Sequence, residues 1–151
     1  MLQLKVINRE EEFPQTVNRD SFVDFLYNHL NQFRDEPEAI NASIDYAFSD
    51  KSGKGGFLIT AVENDKLIGA LVMNKTGMTH YIPENILVYI AVHEESRGKG
   101  LGTKMIERAQ EESHGNIALH VDENNPAQKL YEKLGFEAKY IEMRLENKEL
   151  T

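Results

Sequence analysis

Ile86-Leu87-Val88-Tyr89-Ile90-Ala91-Val92, followed shortly by Arg97-Gly98-Lys99-Gly100-Leu101-Gly102, decides how the chain folds. The first run is apolar on both of its alternating faces, the pattern of a strand covered from both sides, and predicts a central strand. The second run has glycines at alternate positions. Glycines are costly to order, so a strand leading through them into a helix marks a place where backbone approaches something closely. Leu101, Met105, Ile106 and Ala109 then line one face of a helix over Thr103 to Glu112, while Lys104, Glu107, Arg108 and Glu111 fall on the other. Amides at the start of that helix lack partners inside it, and with Arg97 and Lys99 beside them they suit phosphate oxygens. Ser113-His114-Gly115-Asn116 stops the helix and Ile117 to Val121 reads as another strand. Strand, glycine turn, helix and strand make a crossover unit whose two strands are parallel neighbours.

Upstream, Leu2, Leu4 and Val6 alternate as a first strand, and Arg9 to Pro14 is a polar connection. Asn18 or Asp20 is placed to cap a helix whose stripe is Phe22, Val23, Phe25, Leu26 and Leu30, and Pro37 opens a second helix over Glu38 to Phe48. Phe22, Phe25, Tyr27, Phe33, Tyr46 and Phe48 stand mostly at helical spacing, which assigns them to core packing. Asp50 to Gly56 is a loop without a complete phosphate-binding fingerprint. Phe57 to Val62 and Leu67 to Met73, joined by Glu63-Asn64-Asp65-Lys66, predict an antiparallel hairpin. Lys75 to Glu84 connects to the central strand and carries His80 and Tyr81.

Downstream, Asn124-Asn125-Pro126 supplies a cap and a proline for a helix bearing Ala127, Leu130, Tyr131 and Leu134, which Gly135 ends. Ile141, Met143 and Leu145 alternate with Glu142 and Arg144 and predict a late strand over Lys139 to Leu145. The expected class is α/β (α+β): a mixed, mostly antiparallel twisted sheet flanked by helices, in a single domain over residues 1–151.

The formal net charge is −8, with 25 acidic against 17 basic side chains, which repels nucleic acid. The Arg97 to Lys104 cluster is sized for a few phosphates, not for a duplex. With no cysteine, disulfides, thiolate metal sites and a cysteine nucleophile are excluded, in keeping with a cytoplasmic setting. Met1 to Val6 alternates like a strand instead of forming a signal peptide, no apolar run approaches membrane-spanning length, and the five histidines show no metal-ligand spacing. Neither a membrane nor a metal is expected.

Arg97-Gly98-Lys99-Gly100-Leu101-Gly102 after a central strand fits the Arg/Gln-x-x-Gly-x-Gly/Ala signature of the GCN5-related N-acetyltransferases, the GNAT family. The run from Asn124 to Phe136 fits that family's Asn-x-x-Ala-x-x-Leu-Tyr-x-x-x-Gly-Phe pattern at every specified position. The chain therefore resembles a GNAT acetyltransferase over Ile86 to Phe136. The resemblance implies acetyl-CoA as cosubstrate, with its pyrophosphate on backbone amides from Gly98 through Thr103: Gly98, Lys99, Gly100, Leu101, Gly102 and Thr103, attracted by Arg97. It implies a parallel strand pair splayed at its carboxyl ends to admit the pantetheine arm, with Ile90, Ala91 and Val92 pairing with that arm, and Asn124, Ala127 and Tyr131 on the cosubstrate as well. Tyr131 matches the general acid that protonates the departing thiolate; Asn124 would contact the arm or cap its helix.

The reaction implied is direct N-acetyl transfer to a primary amine of a small molecule or peptide. The alternative is an acyl-CoA-binding regulatory module with little or no turnover. Family members often place a glutamate on or near the central strand as general base. Here Glu84 precedes the strand and is the candidate, with Tyr89 inside it and His80, His120 and Asp122 as further choices. Glu10 to Glu12 and Asp35, Glu36 and Glu38 make parts of the surface acidic, a solvated face or an attraction for a cationic amine. Pairing at a shared sheet edge would make a homodimer.

Overall fold

The double-sided apolar run becomes β4 (Asn85–Val92), and the rest of the sheet is assembled beside it in chain order. This is a computed structural model, and it describes residues 1–147. Two compact units divide the chain, Met1–Leu119 and a second beginning at His120.

In the first unit, β1 (Leu2–Ile7), β2 (Gly56–Glu63), β3 (Lys66–Lys75) and β4 pair antiparallel in that order, and β5 (Ile117–Leu119) lies parallel to β4. This is the mixed, mostly antiparallel sheet read from the sequence. The β2–β3 hairpin closes at Asn64 and Asp65, both with positive φ (53° and 64°), the conformation that matches a tight turn to the twist of its strands. Asn and Asp tolerate it better than other residues with a Cβ. Helices α1 (Arg19–His29) and α2 (Pro37–Ala47) pack on one face of the sheet, and α3 (Leu101–Glu112) packs on the other.

Of the two cap candidates at α1, Asn18 takes the position: its side chain accepts from the Ser21 amide at 2.8 Å and Ser21 Oγ accepts from the Asn18 amide at 3.0 Å. Phe22, Phe25 and Leu26 of α1 and Ile40 and Ile44 of α2 are buried with Ile7, Leu58, Ala70, Val72 and Ala91 of the sheet. Of the aromatics expected to pack, Phe22 and Phe25 lie in this core and Tyr27 and Phe48 pack at its margin with Phe13, whereas Phe33 and Tyr46 are half-buried outside it, Tyr46 donating its hydroxyl to the Lys75 carbonyl at 2.6 Å. Arg19 ties both helices to the connection after β1, donating to Glu10 at 2.7 Å and to Asp45 at 2.8 Å. On the opposite face a Cβ added at Gly69 would meet Met105 Sδ at 2.9 Å, so the missing side chain lets α3 lie close to β3.

The second unit holds α4 (Ala127–Lys133), which Gly135 ends at φ 103°. The late strand expected over Lys139 to Leu145 does not form: Ile141, Met143 and Leu145 are 88, 87 and 95% exposed. Alternation supplies a face to bury but no ladder partner, and a strand exists only as a paired element. No helix among the described residues is long and apolar enough to cross a membrane.

Glu84 secures the start of β4. Its carboxylate accepts from the Asn116 amide at 2.8 Å and from Thr79 Oγ1 at 2.6 Å, joining the connections on either side of the strand's first residue. The Thr79 hydroxyl and then the Asn116 amide hold its pKa down to about 2. Gly115 (φ 91°) lies against it, where a Cβ would come within 2.4 Å of Oε1.

Two outcomes follow. Glu84 has its folded pKa below the usual 4.5, so its contribution is complete above about pH 4.5 and lost as pH falls toward about 2. The melting temperature of Glu84→Gln should lie below that of the parent at neutral pH, with the gap closing across that acid window. Gly56 (φ 147°) starts β2 where a Cβ would stand 2.0 Å from the Met73 carbonyl oxygen. Gly56→Ala should cost about 3 kcal/mol in urea unfolding through backbone strain and overpacking, with the m-value unchanged.

Candidate functional site: the open edge of β4 and the glycine turn

A β-bulge separates the two halves of β4. Val72 pairs with Tyr89 but Met73 pairs with Leu87, leaving Val88 as the extra residue opposite β3. On the other side, the parallel ladder to β5 runs through Asn85–Ile117, Ile86–Ala118 and Leu87–Leu119 and goes no further. From Tyr89 to Val92 the strand is held by β3 alone, and from Val88 onward, among the described residues, no strand pairs with its other edge. Ile90, Ala91 and Val92 lie on this stretch, half-buried or buried. Alternate amides and carbonyls there are available to an extended ligand.

The chain leaves β4 through His93 and a short 3-10 turn (Glu94–Ser96) and enters the glycine run. Gly98 and Gly100 have φ of 78° and 83°, which L side chains rarely adopt. A Cβ at either would meet nothing in the protein within 4 Å, so the space over the turn is open. Gly100 is the N-cap of α3 and offers no side chain to cap it. The amides of Leu101, Gly102 and Thr103 therefore lack acceptors, as do those of Gly98, Lys99 and Gly100. Six successive donors at the positive end of a twelve-residue helix form an anion cradle built from main chain. Leu101 is buried and anchors the first turn, while Lys99 and Lys104 are exposed.

Arg97 has a different place from the one its charge suggests. Its Nε donates to the Val92 carbonyl at 3.0 Å and its guanidinium donates at 2.8 Å to the carbonyl of His29, the last residue of α1. It clamps the end of β4 to the end of α1 and complements the negative end of that helix. The His29 ring packs at a tilt against His93, with centroids 4.4 Å apart, and against Phe25 at 4.5 Å. Burial, then His93 and Arg97, push the His29 pKa down and keep that ring neutral at neutral pH.

The general-base candidates are scattered. Glu84 stands at the amino end of β4, engaged as a structural tie, whereas the open edge and the cradle are at the carboxyl end. A carboxylate at about 2 is a poor proton acceptor, so geometry and acidity both remove it from that role. His80 (φ 66°) is exposed on the β3–β4 connection, at the same far end. Tyr89 lies on the open stretch, and its hydroxyl donates to Asp35 Oδ2 at 2.5 Å. Burial, with the Asp35 bond next, pushes its pKa far up, so it is a donor and not a base.

Within the second unit, Asp122 Oδ1 accepts from the Asn124 amide at 2.9 Å and is taken up in a turn, and His120 is exposed. Asn125, not Asn124, serves the helix start, its Oδ1 accepting from the Ala127 amide at 2.9 Å. The Asn124 side chain is exposed and makes no hydrogen bond, which frees it for a ligand. Tyr131 is buried on α4 with Phe136 edge-on at 5.9 Å, and burial raises its pKa, so the phenol stays protonated at neutral pH.

Several of these features escaped the sequence. A run of apolar residues carries no mark of a bulge, and Asp35 is 54 positions from the tyrosine that aims it. The Arg97 clamp joins residues 68 positions apart.

The chain is similar to known proteins in sequence and in fold. Across part of its length the chain is 39% identical, over 56 residues, to the 5-NmdU N-acetyltransferase of Pseudomonas phage PaMx11, covering 36% of this chain and 40% of that protein. The match thus spans about two fifths of the relative's length. Among solved structures, an aminoglycoside acetyltransferase from an uncultured soil metagenomic sample superposes with a TM-score of 0.67 at 18% identity, covering 97% of this chain and 99% of that one. A transcriptional regulator from Bacillus halodurans C-125 gives 0.64 at 22% identity, covering 96% and 100%. Such distant structures speak for the fold alone. The model of the acetyltransferase (GNAT) domain family matches residues 54–138, more than half of the chain and spanning the bulged strand, the glycine turn and α4, and the chain belongs to that family.

Proposed function

We propose that this protein is an N-acetyltransferase that moves the acetyl group of acetyl-CoA onto a primary amine of a small molecule or peptide by direct attack. The observation that carries the reading is the run of six unpartnered amides from Gly98 to Thr103, set beside a strand edge that is open from Val88 onward. A pyrophosphate fits such donors, and an extended amide-bearing arm fits the open edge.

Bound acetyl-CoA supplies an acyl carbon activated as a thioester, to which a neutral amine adds as the thiolate departs. The residues of the chain divide the remaining work. Gly98 to Thr103 hold the diphosphate through main chain, with Lys99 adding attraction from the exposed face. Backbone groups of Ile90 to Val92 orient the arm, and an amide there stabilises the oxygen on which charge develops. Tyr131, protonated at neutral pH, gives its proton to the sulfur; this role rests on the match of Asn124 to Phe136 to the family pattern. Asn124 takes no part in the start of α4, where Asn125 accepts from the Ala127 amide, and is available to the arm.

The amine must arrive uncharged or lose a proton at the site, and Glu84 does not take that proton. That gap supports a second reading, an acyl-CoA-binding regulatory module with little turnover. An amine panel read by release of free CoA separates the two. It contains polyamines, aminoglycosides, amino acids and peptide N-termini, with 5-NmdU added because the phage relative carries that name.

In isothermal titration acetyl-CoA should bind the folded protein, and absence of binding at millimolar concentration would overturn both readings. Gly100→Ala should weaken that binding at least about tenfold, since a left-handed φ costs an L-residue about 1–2 kcal/mol and its Cβ enters the cradle. Lys99→Ala should weaken it less. Tyr131→Phe should lower the rate of CoA release by about a hundredfold or more, the usual scale of general acid catalysis, while leaving acetyl-CoA affinity within about twofold. An unchanged rate would remove the acid role from Tyr131.

A further inference from the structure

Beside the open edge, on the face of the sheet covered by α1 and α2, one carboxylate is held in a fixed direction. Tyr89 follows the bulge, on the face of the sheet covered by α1 and α2, with its ring packed against their core. It stands three residues before the end of β4, about 10 Å from it along the strand. An arm laid from the cradle along Val92, Ala91 and Ile90 reaches its position. The Tyr89 hydroxyl crosses to the α1–α2 connection and donates to Asp35 Oδ2. That bond fixes the direction of a side chain that is otherwise exposed on a loop.

The Asp35 charge is not neutralised. Among the described residues no lysine, arginine or histidine lies within ion-pairing distance of it, and its Oδ1 makes no hydrogen bond. The adjacent Arg34 does not serve, because its guanidinium lies over the Tyr27 ring at 4.2 Å. Glu36 and Glu38, which follow at the start of α2, add negative charge. A tie between loop and sheet needs only a hydroxyl and any acceptor; here the acceptor is a carboxylate with one oxygen still unused.

The chemistry of attack limits what that carboxylate receives. The reacting nitrogen has to be uncharged, since an ammonium has no lone pair to offer. A fixed carboxylate beside the reaction raises the pKa of an amine bound to it and would disfavour attack by that same nitrogen. Its productive partner is a second ammonium on the same molecule. We propose that Asp35, aimed by Tyr89, receives a non-reacting ammonium of the acceptor, and that the acceptor class is an amine bearing at least one further cationic nitrogen. This rests on the acetyltransferase reading and specifies the acceptor of that same site.

Matched acceptors test it: propylamine against 1,3-diaminopropane and spermidine, with acetyl-CoA and release of free CoA as the readout. The parent should use the diamine and the triamine with a KM at least about tenfold below that of propylamine. Asp35→Asn should raise KM for the two polycations at least about tenfold, leave kcat within about threefold, and leave propylamine unchanged. Asp35→Glu should restore part of the difference, and Tyr89→Phe should fall between parent and Asp35→Asn. Acetyl-CoA affinity, by titration, should be the same in all four proteins, which separates loss of acceptor recognition from loss of folding. Equal effects on propylamine and the polycations, or none on either, would overturn the assignment of Asp35 and leave the acetyltransferase reading standing. No CoA release with any amine of the panel would overturn that reading, and this assignment with it.

Discussion

The parallel ladder between β4 and β5 ends at Leu87–Leu119, and the site depends on that ending. Val88 is inserted opposite β3 at the next position, which turns the strand locally while the ladder to β3 resumes at Tyr89 and continues to Val92. A strand that lost both neighbours would be a loose arm, and one that kept both would have no free edge. With a bulge at this place β4 retains one complete ladder and exposes the other side of its last residues. The open edge is therefore rigid, which an extended ligand requires if it is not to meet the ordering cost of the strand as well.

The same economy governs charge. The chain is strongly acidic overall, yet its anion cradle is made with little help from cationic side chains. Arg97, the residue best suited by charge to a phosphate, is occupied by two carbonyls and fixes the relation between β4 and α1. Main-chain amides at the start of α3 are already held by the helix and have no side-chain freedom to lose. Lysines and arginines on flexible stems would each surrender rotamer entropy on binding. The φ values at Gly98 and Gly100 are left-handed, a conformation that L side chains rarely adopt, which is why glycines occupy these positions although nothing in the protein crowds them.

Local features were legible in the sequence, and those made by distant residues were not. The hairpin at Asn64-Asp65, the cap at Asn18 and the strand, turn and helix from Asn85 to Glu112 each depend on neighbours a few positions apart. Asn124 and Asn125 show the resolution of such reading: the N-cap position of α4 falls on Pro126, which has no side-chain cap, and it is Asn125 that accepts from the Ala127 amide, a choice that spacing does not specify. Glu84 shows another limit. It is adjacent in sequence to the central strand, and a strand of eight residues puts its two ends about 25 Å apart. Proximity in sequence to β4 is thus no guide to proximity to its working end.

This difference also explains why the two sides of the reaction were unequally readable. A diphosphate is recognised by backbone, and backbone recognition imposes glycines and a helix start at fixed spacing, so it leaves a signature within one short stretch. Acceptor recognition, as proposed above, falls to side chains brought together by the fold. Tyr89 comes from the sheet and Asp35 from the connection between two helices, and neither is unusual in its own local context. On the proposal made for Asp35, a different residue at position 35 would leave the hairpin, the bulge and the cradle as they are and change which amine is held beside them. Sequence motifs of this fold consequently report the donor, whereas the acceptor contact proposed above rests on the pair Tyr89–Asp35, which only the folded chain assembles.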